Sequence, residues 1–401
     1  MEEERERRKE NRIKFRSFIQ YEKVSANGIF GSPIATTARD IGENGIGFHS
    51  EEKIELGSLE AINIYNVLDK LNLENVSDIH FVCGYPPMLK KMGKLQAAEM
   101  APFSGHSLRI LLLSMLDAEQ YEKFLKNKES NFIFDYREKN RFRVNFHVQR
   151  HKVEGVFRVI PENIGLPHQL GLPEVVEKIL ENKKGLILVG GRTGAGKSTT
   201  LASMVELLNN KTMGVIISIE DPIEYIHTNN KCIIKQREAG NDTLSFANAA
   251  RNALRQNPDI LVIGEILDKE TMEIALTAAE SGTLVLTSIH GVTSPQVLDR
   301  IISFFPIDAQ KHVLSRLSLI LKAMITQELI PRADGKGFVA AAEILVVNNA
   351  MKRIIRDGGW KEITTAILGG KNLQMQSMRE SIEKLYRDGI ISGEYLKGVV
   401  L

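Results

Sequence analysis

The chain has 401 residues, 43% of them hydrophobic, and sets 52 lysines plus arginines against 50 aspartates plus glutamates, for a formal net charge of +2. That length and apolar content suit a globular protein of two or three domains and exclude a disordered chain, and the near-balanced charge gives no sign of a dedicated nucleic-acid binder. The two cysteines, Cys83 and Cys232, stand far apart and form no CxxC, which argues against a zinc module or disulfide framework and for a reducing compartment.

The opening stretch MEEERERRKENR is too charged for a signal peptide, and apolar runs such as ILLLSML fall well short of a bilayer span, so any membrane association is expected to come through a partner. Residues 1–58 read as a charged appendage of short β-like runs and glycine turns. Residues 59–163 mix a helix-like LEAINIYNVLDKLN with DIHFVCG, a turn at YPP, a helix near LRILLLSML, and the strands NFIFDY, RFRVNFHVQ and EGVFRVIP, which predicts a small α+β domain. ENIGLPHQLGLP then concentrates glycine and proline as a linker does. Across 164–349 helical patterns alternate with the buried-strand runs GLILVG, GVIISIE, CIIKQ, DILVIGE, TLVLTSIHG and FVAAAEILVV, the rhythm of an α/β fold with a largely parallel sheet covered by helices. Residues 350–401 read as a helical tail.

The most specific signal is LVGGRTGAGKSTTLASM. Gly191, Gly196, Lys197 and Ser198 fill the pattern G-x-x-x-x-G-K-[ST], with an apolar strand before it and, after it, an amphipathic helix predicted from Leu201, Met204, Val205 and Leu208. Glycines let backbone N–H groups curl round phosphates, the helix N-terminus adds partial positive charge, Lys197 neutralises the outer phosphates and Ser198 supplies a magnesium ligand. Carboxylates follow at neighbouring strand ends: Glu265 closes DILVIGE, and Glu220, Asp221 and Glu224 crowd into EDPIEY. TLVLTSIHG ends in Ser288 and His290. Each alone is more readily a solvated acid or a hydrogen-bonded histidine, but their recurrence at successive strand ends reverses that and favours phosphoryl-transfer chemistry. NNK occurs twice without the aspartate of a guanine-reading NKxD, which argues against a GTPase switch.

These segments, with SDIHFVCGYPPML, RFRVNFHVQR, GVFRVIP, SIEDPIEYIH, QREAGNDTLSFANAARNALRQNPDILVIGE, ALTAAESGTLVLTSIHG and AMKRIIRDG, resemble the secretion-type ATPases, and within them the type IV pilus retraction motors of the PilT kind, over roughly residues 60 to 390. The resemblance implies a homo-hexameric ring whose subunits join a PAS-like α+β N-terminal domain to a RecA-like P-loop NTPase core, with ATP and Mg²⁺ between them. It implies phosphate contacts from Gly191, Thr193, Gly194, Ala195, Gly196, Lys197, Ser198 and Thr199, and a magnesium shell held by Ser198 and, through water, Glu265. Glu224 matches the family's catalytic base, Glu265 the Walker B glutamate and His290 the His-box histidine. Arg143, Arg150 and Arg158 match interdomain arginines, Arg150 as a nucleotide contact. The segment from Ala350 to Gly358 resembles a helix that retraction motors need for force production. Implied partners are an inner-membrane pilus platform protein and a second retraction ATPase, with the ring cytoplasmic and peripheral to the inner membrane.

The alternatives are an assembly or secretion ATPase of the same superfamily, a DNA-handling ATPase, which near-neutral charge and the lack of an aromatic-basic stacking surface oppose, and a weakly hydrolysing regulatory partner. The last draws on two departures from the family pattern, Leu267 where an arginine is usual and Thr283 where retraction motors commonly have histidine. Within the appendage, Arg8 and Arg12 with Asp40, Gly42 and Gly45 resemble the start of a PilZ domain, which binds cyclic di-GMP. Gly42 replaces the usual serine and the segment is too short for a complete barrel, so the expectation is a degenerate appendage, a charged helix and small β-hairpin, with little or no affinity for that ligand.

Overall fold

The computed structural model describes residues 19–21, 34–42, 45–49, 63–74, 76–91, 94–137, 140–160, 164–335 and 337–396. The first three described segments form a small antiparallel sheet, β1 (Ile19–Tyr21), β2 (Ile34–Gly42) and β3 (Gly45–His49), in the order β1-β2-β3. Asp40 and Gly42 lie on β2 and Gly45 opens β3, with Gly42 paired to Gly45 across the hairpin. Arg8 and Arg12 lie outside the described residues.

A six-stranded sheet follows. After α1 (Ile64–Asp69) come β4 (Val76–Phe81), β5 (Met88–Lys91), β6 (Lys94–Ala97), α2 (Gly105–Leu113), α3 (Ala118–Asn127), β7 (Glu129–Tyr136), β8 (Asn140–Gln149) and β9 (Lys152–Ile160). The strands pair antiparallel throughout in the order β6-β5-β4-β9-β8-β7. Alternation along β8 sends Phe142, Val144 and Phe146 into the core while Arg143 stays exposed, the period of two that an antiparallel sheet with one wet face requires. The core is aromatic: the rings of Phe81, Phe142 and Phe146 each lie within about 6 Å of that of Phe157, in edge-on or tilted contacts that add ~0.5–1.5 kcal/mol apiece beyond the area they bury.

The larger part of the chain builds a seven-stranded sheet in the order β12-β11-β13-β14-β10-β15-β16. In chain order the elements are α4 (Val175–Ile179), β10 (Gly185–Gly191), α5 (Lys197–Lys211), β11 (Gly214–Glu220), β12 (Cys232–Glu238), α6 (Phe246–Leu254), β13 (Ile260–Ile263), α7 (Lys269–Glu280), β14 (Leu284–His290), α8 (Ser294–Ser303), α9 (Ile307–Ile320), β15 (Leu321–Pro331) and β16 (Phe338–Val346). Every pairing is parallel except β15 with β16. Successive strand residues feed opposite cores. Leu186, Leu188, Ile217, Ile219, Leu261 and Ile263 face α6 to α9, whereas Ile187, Val189, Ile216, Ile260 and Val262 face α4 and α5. The helix after the glycine loop is more enclosed than its predicted stripe: Leu201, Met204, Val205 and Leu208 are buried, and so are Thr200, Ala202, Ser203, Leu207 and Asn209, because α5 is covered on most sides. The glycine-proline stretch is not a bare tether either, since Pro167 and Leu172 are buried, Leu172 in the α5-side core.

Three α-helices follow β16, α10 (Asn349–Asp357), α11 (Trp360–Gly369) and α12 (Met378–Arg387), and a 3-10 turn at Gly393–Leu396 closes the described chain. Helix α10 buries Met351 and Ile355 and stops at Gly358, whose φ of 71° is the left-handed C-cap that favours glycine. The two large sheets meet at a small apolar seam in which Ile160 of β9, Ala202 of α5 and Tyr225 cluster.

Candidate active site

The strand–loop–helix around Lys197 has one close approach that fixes its composition. Gly191 has φ +156°, and a Cβ there would stand 2.8 Å from Ala195 Cβ and 2.9 Å from the Gln327 carbonyl oxygen. The loop is shaped from beneath by Gln327 of β15, whose Nε2 donates to Ala195 O at 2.6 Å while its Oε1 accepts from Thr200 Oγ1 at 2.7 Å. On the outer side, Gly194 faces open space: a Cβ there would meet nothing within 4 Å. The next helix is equally open at its start. Helices α6, α7 and α8 cap their first turns with Ser245, Asp268 and Thr293, but α5 begins at Gly196 with no side-chain cap. Its first N–H groups are therefore directed at whatever enters the cleft, the arrangement that receives phosphate.

That cleft has a volume of about 580 Å³ and runs between the two sheets. Thr193, Gly194, Gly196, Lys197, Ser198 and Thr199 line it, as do Glu224, Glu265, Arg143 and Arg158. Gly191 and Ala195 support the loop without lining the cavity, and His290 pairs in register with Gly191 at the exposed end of β14, beside the lining rather than in it. Arg150 is not brought in: it sits with φ 47° on the exposed tip of the β8–β9 hairpin, away from the cleft of its own chain.

Lys197, Arg143 and Arg158 of the cleft each have a partner already. Lys197 Nζ donates to the carbonyls of Gly191 and Arg192 at 3.1 and 3.2 Å, and burial lowers its pKa against the opposing pull of Glu265. Arg143 Nη1 donates to Glu224 Oε1 at 3.1 Å, and Arg158 Nε to Asp78 Oδ1 at 2.9 Å. Burial of Asp78 opposes its ionisation, yet the hydrogen bonds from Arg158 and Ser77 hold its carboxyl below the usual range. Glu220 is pushed the other way, upward, by burial, although Ser218 and Gln236 donate to it. Ser288 Oγ donates to Gly264 O at 2.6 Å and so ties the end of β14 to the turn carrying Glu265. Leu267 also lines the cleft and is 56% exposed. Thr283 is remote: it precedes β14 at the opposite end of the strands, seven residues or about 23 Å from His290, and its Oγ1 donates to Pro258 O at 3.3 Å. It makes no contact with the cleft, so the two sequence departures are not equivalent.

Three lining residues escape a motif search. Tyr225 hydrogen-bonds Thr199 Oγ1 at 2.9 Å, His227 meets Glu206 Oε2 at 3.4 Å with its side chain 4% exposed, and Phe246 faces the cavity from the first turn of α6. Their only signals are position: Tyr225 closes EDPIEY, His227 follows it by two residues, and Phe246 follows the N-cap serine Ser245.

Against known proteins, the family described as Type II/IV secretion system protein matches residues 156–396. The chain belongs to that family. It is 41% identical over 318 residues to the Type IV pilus ATPase PilU of Pseudomonas aeruginosa, covering 79% of this chain and 83% of that protein. To the Type IV pilus retractation ATPase PilT of the same organism it is 38% identical over 321 residues, 80% of this chain and 93% of that one. A crystal structure of the pilus retraction motor PilT with bound ADP superimposes with a TM-score of 0.75 at 38% identity, covering 83% of this chain and 95% of that chain. An antiparallel N-terminal sheet beside a mixed-sheet core is thus the architecture the family member shares with that motor. No helix among the described residues is long and apolar enough to cross a membrane.

Proposed function

We propose that this family member is a ring-forming motor ATPase that couples ATP hydrolysis to type IV pilus retraction. One observation carries the reading: a glycine loop with an uncapped helix, two strand-end carboxylates and two arginines from a second sheet converge on one cavity. In this reading residues 59–163 are the PAS-like domain, 164–349 the RecA-like core, 350–401 the helical region through which force is delivered, and 1–58 an appendage with little or no affinity for cyclic di-GMP.

The residues suit ATP with magnesium. Among the described residues no group of three or more His, Cys, Asp or Glu is arranged to hold a metal by itself. The donor set left at the loop, Ser198 Oγ with Glu265 behind it, suits an ion that takes one or two protein oxygens and completes its shell from water and substrate phosphates, as Mg²⁺ does. Bound there, the ion would withdraw charge from the phosphoryl oxygens. Lys197 and the α5 N–H groups hold the phosphates, and Glu224 orients the attacking water and takes its proton once Arg143 turns from it to the outer phosphate. Arg158 adds a second cation from the same sheet, His290 stands beside the loop end where a change in the outer phosphate is felt, and Arg150 serves a neighbouring subunit of a homo-hexamer. The ring acts in the cytoplasm, against a pilus platform protein at the inner membrane and beside a second retraction ATPase.

Cells lacking the chain should keep surface pili and lose twitching; bald cells would make it an assembly ATPase. Native mass measurement with a non-hydrolysable ATP analogue should give six copies, and a monomer at micromolar concentration would remove the ring. Leu267 at the cavity rim favours one second reading, a slow subunit that regulates a faster partner.

A further inference from the structure

The segment that carries Glu224 leaves β11 at Glu220 and returns to the parallel, adjacent β12 at Cys232, so it has to fold back along the sheet without a helix of its own. Such a connection has few backbone partners, and the position of the Glu224 carboxylate depends on what holds its neighbours. Both neighbours are held by β12. Ile223 N donates to Glu238 Oε2 at 3.0 Å on one side of Glu224. On the other side Gln236, two residues earlier on β12 and opposite Ser218 in register, uses both ends of its carboxamide. Its Nε2 donates to Tyr225 O at 2.7 Å and to Glu220 Oε1 at 3.0 Å, and its Oε1 accepts from His227 N at 2.9 Å.

Resting on the ATPase reading above, we propose that Gln236 is a positioning residue for hydrolysis: it clamps the backbone after Glu224 to the end of β11, and so sets where the Glu224 carboxylate stands over the cleft. The chemistry of the site restricts the residue to an amide. Two donor hydrogens and an acceptor oxygen are needed at the end of a three-carbon reach, and among side chains only glutamine offers that set at that length. A glutamate would face Tyr225 O and the Glu220 carboxylate with lone pairs, and an asparagine falls one methylene short. The clamp makes no hydrogen bond to residues 191–198, where Gln327 of β15, on the other side of β10, holds Ala195 O; its one link toward the loop is Tyr225, whose hydroxyl hydrogen-bonds Thr199 Oγ1 at 2.9 Å. Loss of the clamp is therefore expected to weaken chemistry far more than binding.

The experiment compares wild type with Gln236→Met, which keeps the side-chain length and removes all three hydrogen bonds, and with Gln236→Glu, which keeps the acceptor alone. Steady-state kinetics, ADP affinity and amide hydrogen exchange are read on each. A displacement of the carboxylate by about 1 Å is expected to lower kcat ~10²-fold, with ADP affinity and the KM for ATP changed less than threefold, and exchange quickened at residues 223–231. Either variant keeping kcat within threefold of wild type, or losing ADP affinity in proportion to kcat, overturns the proposal. Should wild type itself release no more phosphate than Lys197→Ala, the ATPase reading fails, and exchange alone then decides the clamp: unchanged protection at 223–231 in Gln236→Met overturns it, and lost protection upholds it.

Discussion

The seven-stranded wall lines the cleft with backbone amides and short side chains fixed in place, whereas the six-stranded wall lines it with long cations held by carboxylates. On the first wall the loop is tied down by Gln327 and opens directly into α5, so its phosphate-facing groups are positioned before any ligand arrives. On the second, Arg143 is 43% exposed and paired with Glu224, and Arg158 is 67% exposed and paired with Asp78. A pair as exposed as Arg143 with Glu224 contributes only ~0–1 kcal/mol, less than a charge-assisted bond from arginine to a phosphate, whereas Asp78 is buried and its pair with Arg158 is held more firmly. In the proposed reading the difference separates binding from firing: one wall would bind, and the other would give up a weak internal pair only when a triphosphate competes for it. On that reading the Arg143–Glu224 pair joins the two roles, because the group proposed to neutralise the outer phosphate is the one that occupies the proposed base.

The contrast makes graded demands. Lys197→Ala strikes the preformed wall and should reduce phosphate release to background, more than ~10³-fold, with nucleotide binding lost in a fluorescent-nucleotide titration. Glu224→Gln should retain nucleotide binding and lower kcat by ~10²–10⁴. Arg143→Ala belongs to the other wall and should lower kcat ~10²-fold with nucleotide affinity nearly unchanged; an equal loss of affinity would mean that both walls bind, and the contrast would collapse. Leu267→Arg should raise kcat, by ~10-fold at most, since it adds a cation at the cavity rim. Thr283→Val should leave kcat within twofold and cost about 1 kcal/mol in denaturant unfolding, through the lost bond to Pro258 O.

A smaller effect concerns pH. Burial holds His227 below its ordinary value of 6.5, against the pull of Glu206. Between the folded value and 6.5 the unfolded chain binds a proton that the folded chain does not, so stability falls as pH drops below 6.5. His227→Gln should flatten the decline in Tm between neutral pH and about pH 5.5, read by calorimetry.

Much of the binding wall was legible in the sequence because its parts are local: an apolar strand, glycines at fixed spacing, lysine, then a helix. The elements missed have physical reasons. Strand β15 went unread because α9 ends at Ile320 and the strand starts at Leu321 with no glycine or proline between them, so SLILKAMITQELI shows no break. With it went Gln327, the middle of the polar triplet Thr326–Gln327–Glu328, which nothing local marks as the support of a loop. The ion pair of Arg143 with Glu224 joins residues 81 apart, which no local pattern encodes. Leu267 and Thr283 look alike as departures in one dimension, and only strand register separates them by the length of β14. Arg150 carries a family motif yet lies on a hairpin tip, where its own cleft is out of reach.

The central claim, that this chain binds with one wall and hydrolyses by freeing Glu224 from the other, rests most directly on a single assay: phosphate release by the wild-type chain and by Glu224→Gln, with magnesium, at nucleotide concentrations that saturate both. Turnover in wild type and its loss in Glu224→Gln at equal nucleotide affinity is the result expected. The same rate from both proteins would contradict it.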